Sequence, residues 1–112
     1  MRASSRGTLR PKMKAMLAEE ILLKLERERT ALRNLGVRRL GLFGSAARGS
    51  SGSSSDLDFV VEFEAKTFDR YMDLKQLLER LYGRRVDLVL SDGIKPRLRQ
   101  AILGETIYAQ GF

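Results

Sequence analysis

The sequence predicts a small α+β domain of two layers, a mixed sheet with helices packed on it. Three observations carry that prediction. Runs with the period of a helix alternate along the chain with runs that have the two-residue period of a strand. A chain of 112 residues holds one core and has little room for a second. The stretch nearly devoid of apolar side chains, residues 44–55, lies between two strand-like runs inside that one domain.

The elements follow in order. Residues 14–35 read as one helix. Leu17, Ile21, Leu25, Leu32 and Leu35 recur near helical spacing, Leu22 and Leu23 widen the stripe, and charged residues from Glu19 to Arg29 fill the other face. Gly36 is its stop signal. Val37–Phe43 (VRRLGLF) reads as a strand, and the Gly/Ser-rich segment GSAARGSSGSSS follows. Such a segment can be a flexible linker, but its place between two strands points to function. Leu57–Phe63 (LDFVVEF) is a second strand, with Leu57, Phe59, Val61 and Phe63 on one face and Asp56, Asp58, Val60 and Glu62 on the other. Thr67 caps a helix over Phe68–Tyr82, whose apolar stripe is Tyr71, Leu74, Leu77, Leu78 and Leu81, and Gly83 ends it. Residues 85–90 (RVDLVL) form a third strand and Ser91–Gly93 a turn. Pro96 opens a last helix that Gly104 stops after Leu103, and residues 106–109 make a short edge strand. The helix stripes read as packing against the sheet rather than as partner surfaces, and there is no internal repeat.

Composition narrows the chemistry. There is no cysteine and no histidine, which removes disulfide frameworks, thiolate zinc sites, cysteine catalysis and most hydrolase triads. Acid–base and metal chemistry is left to carboxylates, Lys, Tyr, hydroxyls or a metal ion. The net charge of +7 is either a solvated basic surface or a match for a polyanion such as nucleotide, nucleic acid or an acidic protein. No stretch approaches the roughly 20 apolar residues of a membrane span. Residues 1–12, rich in Arg and Ser and lacking an apolar run, read as a disordered basic tail ahead of a single domain over residues 13–112, with the cytoplasm as default compartment.

Two features carry chemistry. Asp56 and Asp58 are two apart at the start of a strand, so their carboxylates share a face. Carboxylates that close repel unless a cation lies between them, and magnesium is the hard, oxygen-seeking ion suited to such a pair. Ser-Asp-x-Asp alone is weak, because solvated Asp pairs are common in turns. The apolar neighbours of Asp58 and of Asp87 inside RVDLVL raise its weight, since a charge set in a core strand needs partners. If the two strands are neighbours, Asp87 joins Asp56 and Asp58, and three carboxylates can hold two metal ions that clamp a phosphoryl displacement. The second feature is the turn after LGLF. Gly44 lets backbone amides approach phosphate oxygens, Ser45 adds a hydroxyl, and Arg48 adds a charge that pairs with phosphate. It is neither a P-loop, since the Gly-Lys-Ser/Thr ending is missing, nor a dinucleotide fingerprint.

The run Gly44-Ser45-Ala46-Ala47-Arg48-Gly49, followed after five residues by Ser55-Asp56-Leu57-Asp58, resembles the G-S-x-A-R-G-x5-S-D-x-D signature of the minimal nucleotidyltransferases, in the DNA polymerase β nucleotidyltransferase superfamily. The resemblance spans roughly residues 35–108 and takes in Phe59 to Phe63, Arg85 to Val89 and the segment from Ile94 to Tyr108. It implies a palm-like nucleotidyltransferase fold. It implies that Gly44 and Ser45 bind the triphosphate of ATP, that Arg48 supports the triphosphate or the loop, and that Asp56 and Asp58 bind two magnesium ions. Asp87 would complete the metal site and act as general base. The reaction implied is attack of a hydroxyl on the α-phosphorus of ATP with release of pyrophosphate. Members of the family are commonly encoded beside a helical HEPN-domain toxin and act as its antitoxin, in a type VII-like pair, by placing AMP on a tyrosine of the toxin.

Departures and rivals belong beside this reading. Residues 50–54 (SSGSS) carry no charge where relatives are usually more charged, and the chain has no second domain to hold an acceptor, which leaves that surface to a partner or an oligomer. The first rival is an antitoxin that neutralises its partner by binding alone. Nucleic-acid binding ranks below both, because the +7 charge is spread along the chain without a stacking aromatic cluster. Transfer to a small molecule ranks last, for want of an acceptor domain.

Overall fold

The computed structural model describes residues 17–49 and 56–112. The basic tail read at residues 1–12, the start read for the first helix at residues 14–16 and the serine-rich segment 50–55 lie outside the described residues. The order is α1 (Ala18–Arg27), α2 (Arg29–Asn34), β1 (Val37–Phe43), α3 (Gly44–Ala47), β2 (Leu57–Phe63), α4 (Phe68–Tyr82), β3 (Val86–Leu90), a 3-10 turn at Ser91–Gly93, α5 (Pro96–Glu105) and β4 (Ile107–Tyr108). The four strands form one mixed sheet in the order β3-β2-β1-β4. β1 is antiparallel to β2 and β4, and β2 is parallel to β3. The α+β class and the mixed sheet read from the sequence are therefore those of the molecule, and no helix among the described residues is long and apolar enough to cross a membrane.

The alternation in each strand decides what faces what. Leu40 and Leu42 of β1, Leu57, Phe59 and Val61 of β2, and Val86 and Leu88 of β3 enter a core shared with Ile21 and Leu25 of α1, Leu32 of α2, and Leu74, Leu78 and Tyr82 of α4. Phe59 is fully buried and stacks on Tyr82, ring centroids 5.8 Å apart. The Tyr82 hydroxyl donates to the Ile21 carbonyl at 2.6 Å, which satisfies its polar end inside the core. That burial pushes the phenol far above its ordinary range. The opposite face of the sheet carries Asp58 and Asp87 at one end. At its middle Val60, also buried, lies on that same opposite face.

The first helix begins at Ala18, after an extended Leu17, and the third strand begins at Val86 rather than Arg85; three further boundaries differ from the reading of the sequence. The first helix is two, because the chain turns at Glu28 between α1 and α2. A single apolar period spans both pieces, so periodicity alone does not reveal the break. Gly104 does not stop α5, which continues to Glu105 and ends where the Thr106 hydroxyl donates to the Ile102 carbonyl at 2.7 Å. The last strand is confined to Ile107–Tyr108. Thr67 and Gly83 act as read: the Thr67 hydroxyl accepts from the Arg70 amide at 3.1 Å, and Gly83 ends α4 in the left-handed region.

β3 is an edge strand, and two of its outward groups are taken by α4. The Val86 amide donates to the Glu79 carboxylate at 3.0 Å, and the Leu88 carbonyl accepts from the Tyr71 hydroxyl at 2.6 Å.

Replacing Phe59, in the centre of this core, by Ala should lower the unfolding free energy by about 3–5 kcal/mol. Phe68→Ala, at a site 77% exposed, should change it by less than about 0.5 kcal/mol. Urea denaturation of the two variants beside the parent chain checks the contrast.

Candidate active site

The site forms where β1 ends and β2 and β3 begin. Asp58 is the second residue of β2, with Asp87 as its register partner on β3 and Phe43 as its partner on β1. Partners on adjacent strands lie about 4.8 Å apart and on the same face. Asp58 and Asp87 are therefore side by side on the face turned away from α1 and α4, and Asp56, just ahead of β2, is near enough for its charge to act on Asp58. Asp56 and Asp87 are exposed, while Asp58 is half-buried.

The half-burial of Asp58 has a visible cause. Gly44 follows Phe43 at φ +76°, a left-handed conformation that only glycine adopts without strain. A Cβ on Gly44 would run into the Asp58 carboxylate. The carboxylate thus sits against bare backbone in a place a side chain would otherwise fill. The turn is held from below by Ala46, buried in the core, and the Arg48 amide donates to the Gly44 carbonyl at 3.2 Å. The Gly44 turn and the Asp58 carboxylate are one piece of structure, although the Gly/Ser-rich segment lies between them in sequence.

Electrostatics follows from the crowding. Desolvation by burial raises the Asp58 carboxyl above the ordinary aspartate value, and the negative charges of Asp87, Asp56 and Glu105 raise it further, while Arg48 pulls it back. Among the described residues these side chains do not close into a group of three round a single point. The donor chemistry fits magnesium: oxygen ligands only, on two neighbouring strands, beside a glycine turn.

The structure thus brings Asp58, Asp87 and Gly44 together, with Asp56 at the rim. Ser45 follows Gly44 within α3. Arg48 is engaged elsewhere. Its guanidinium is paired with the Glu105 carboxylate, 3.1 Å to one oxygen and 3.0 Å to the other. Reading the sequence did not find Glu105. It is 57 residues from Arg48 and belongs to no motif, so no local signal marked it.

A small mixed sheet with acidic residues on adjacent strands and a Gly-Ser turn at its rim defines a nucleotidyl-transfer class of protein. The chain belongs to the nucleotidyltransferase domain family, whose pattern matches residues 22–109. It is 37% identical over 98 residues to the protein adenylyltransferase MntA of Thermococcus cleftensis, a match covering 86% of this chain and 99% of that one. A solved chain described as a "putative minimal nucleotidyltransferase" superposes with a TM-score of 0.72 at 40% identity, covering 82% of this chain and 95% of its own. The fold is also shared with a chain of a complex described as tri-AMPylated Shewanella oneidensis HEPN toxin with MNT antitoxin, with a TM-score of 0.58 at 22% identity over 82% of this chain and 73% of that one.

Two outcomes follow from the geometry. Gly44→Ala should destabilise the protein by at least about 1–2 kcal/mol, the cost of the left-handed backbone, with the collision against Asp58 added to it. The second concerns pH. The Asp58 carboxyl is raised, so the unfolded chain loses that proton at lower pH than the folded one, and stability falls as pH rises from the ordinary aspartate range through the raised value. In buffer with a chelator, Asp58→Asn should therefore be more stable than the parent at pH 7, and the difference should close at pH 3. Equal urea midpoints at pH 7 would contradict the crowding of charge described above.

Proposed function

We propose that this chain transfers AMP from ATP to a hydroxyl, a tyrosine of a helical HEPN-domain toxin, and acts as that toxin's antitoxin. The observation that carries the reading is the contact of the Asp58 carboxylate with the bare backbone of Gly44, beside Asp87. Relatives add support. The Thermococcus protein carries the name protein adenylyltransferase, and the Shewanella antitoxin was captured with an AMPylated HEPN partner.

In this reading the residues divide the work. Backbone amides at Gly44 and Ser45 receive the triphosphate, because glycine leaves the peptide accessible to phosphate oxygens. Asp56, Asp58 and Asp87 would hold magnesium, two ions in all, which supply charge neutralisation at the phosphates. The acceptor hydroxyl approaches over Asp87, the more exposed of the two paired carboxylates, which takes its proton as general base. The hydroxyl oxygen then bonds to the α-phosphorus, the bond from that phosphorus to the β-phosphate bridging oxygen breaks, and pyrophosphate leaves. Positive charge arriving with the nucleotide–metal complex relieves the repulsion between Asp58 and its neighbours, which couples its binding to the state of the site.

The test is chemical. Mixed with ATP, magnesium and the protein encoded beside it, the chain should add the mass of AMP to that partner. Asp58→Ala should cut the rate by about 10³-fold or more, the scale of removing a principal charge-stabilising group. A partner that binds yet gains no mass rules out transfer. Full protection of cells by Asp56→Ala with Asp58→Ala would assign neutralisation to binding alone.

A further inference from the structure

Arg48 closes the Gly-Ser turn at one end, and Glu105 ends α5. One guanidinium nitrogen reaches both oxygens of the Glu105 carboxylate, at 3.0 and 3.1 Å, and Glu105 is the less exposed partner, its side chain 29% accessible against 60% for Arg48. A second contact seats the same end of α5. At Gly41 of β1 a Cβ would collide with the Thr106 side chain, so the residue after Glu105 packs directly on the sheet where β1 has no side chain. Thr106 itself is tied back to Ile102. The end of α5 is therefore fixed to β1, and Arg48 is fixed to the end of α5. The guanidinium nitrogen that makes this contact is held by Glu105 and is not aimed at a phosphate.

We infer that Glu105 is a positioning residue for the nucleotide turn: it holds Arg48 as a tether between the turn and α5, and Arg48 acts through that tether rather than as a ligand of the triphosphate. The inference rests on the adenylyl-transfer reading for its consequence in catalysis, but the tether itself is a property of the protein without nucleotide. The turn is short, and its backbone must stay where Gly44 meets Asp58. Ala46 anchors its middle in the core and Glu105 anchors its end.

The pair separates from a direct phosphate contact by charge reversal. Amide hydrogen exchange over residues 44–49 is measured on the full chain without nucleotide for Arg48→Ala, Glu105→Ala, the double variant, and Arg48→Glu combined with Glu105→Arg. The two single variants should speed exchange there by about three- to tenfold, the double variant should go no further than either single, and the reversed pair should return to the parent rate. In transfer assays the same series should show its loss in KM for ATP with kcat little changed, restored by the reversed pair. Unchanged exchange in Glu105→Ala overturns the tether. A reversed pair that recovers exchange but not KM makes Arg48 a triphosphate ligand and overturns the positioning role. A parent chain that transfers nothing defeats the functional reading alone, and the exchange series still decides the tether.

Discussion

The parallel register between β2 and β3 is the constraint on which the site depends. Leu57 opposite Val86 and Phe59 opposite Leu88 bury apolar side chains on the helix face, and this places Asp58 beside Asp87 on the other. A slip of one residue would turn Asp87 into the core and Leu88 out to solvent, so the same burial that drives folding also fixes the two charges as neighbours. Hydrophobic packing thus imposes an electrostatic cost at one end of the sheet. The sheet tolerates it because Asp87 and Asp56 remain exposed and only Asp58 loses part of its hydration.

The turn after β1 converts that cost into a shaped site. Without Gly44, the Asp58 carboxylate would have no room against the backbone. Gly41, two residues before the end of the same strand, does the parallel service for Thr106. β1 and the turn that follows it therefore carry two glycines with separate duties, one admitting the Asp58 carboxylate and the other admitting the end of a helix.

Much of this was legible in the sequence and some was not, for physical reasons. The strands and α4 were readable because each carries its own period and its own stop signals, such as Thr67 and Gly83. The pairing of Asp58 with Asp87 was accessible as a condition, since both are acidic residues in apolar strands, but the direction and register of pairing come only from the assembled core. The break at Glu28 was hidden because both helices share one apolar stripe. Gly104 misled because glycine ends a helix only when the next turn needs a left-handed residue, and here the chain ran on to Glu105. Glu105 itself was invisible, as an ion pair between distant segments leaves no local pattern.

The treatment of the β3 edge has a consequence for the company the molecule keeps. In parallel pairing every second residue of an outer strand points its peptide groups away from the sheet, ready to zip onto another chain. Glu79 and Tyr71 occupy two of these groups at Val86 and Leu88, and both reach them from the helix that already covers the core. An incoming strand would have to strip both side chains away before its first rungs could form. Lateral polymerisation is thereby discouraged at the sheet margin nearest the acidic pair, while Asp87 stays exposed on the face turned away from the helices.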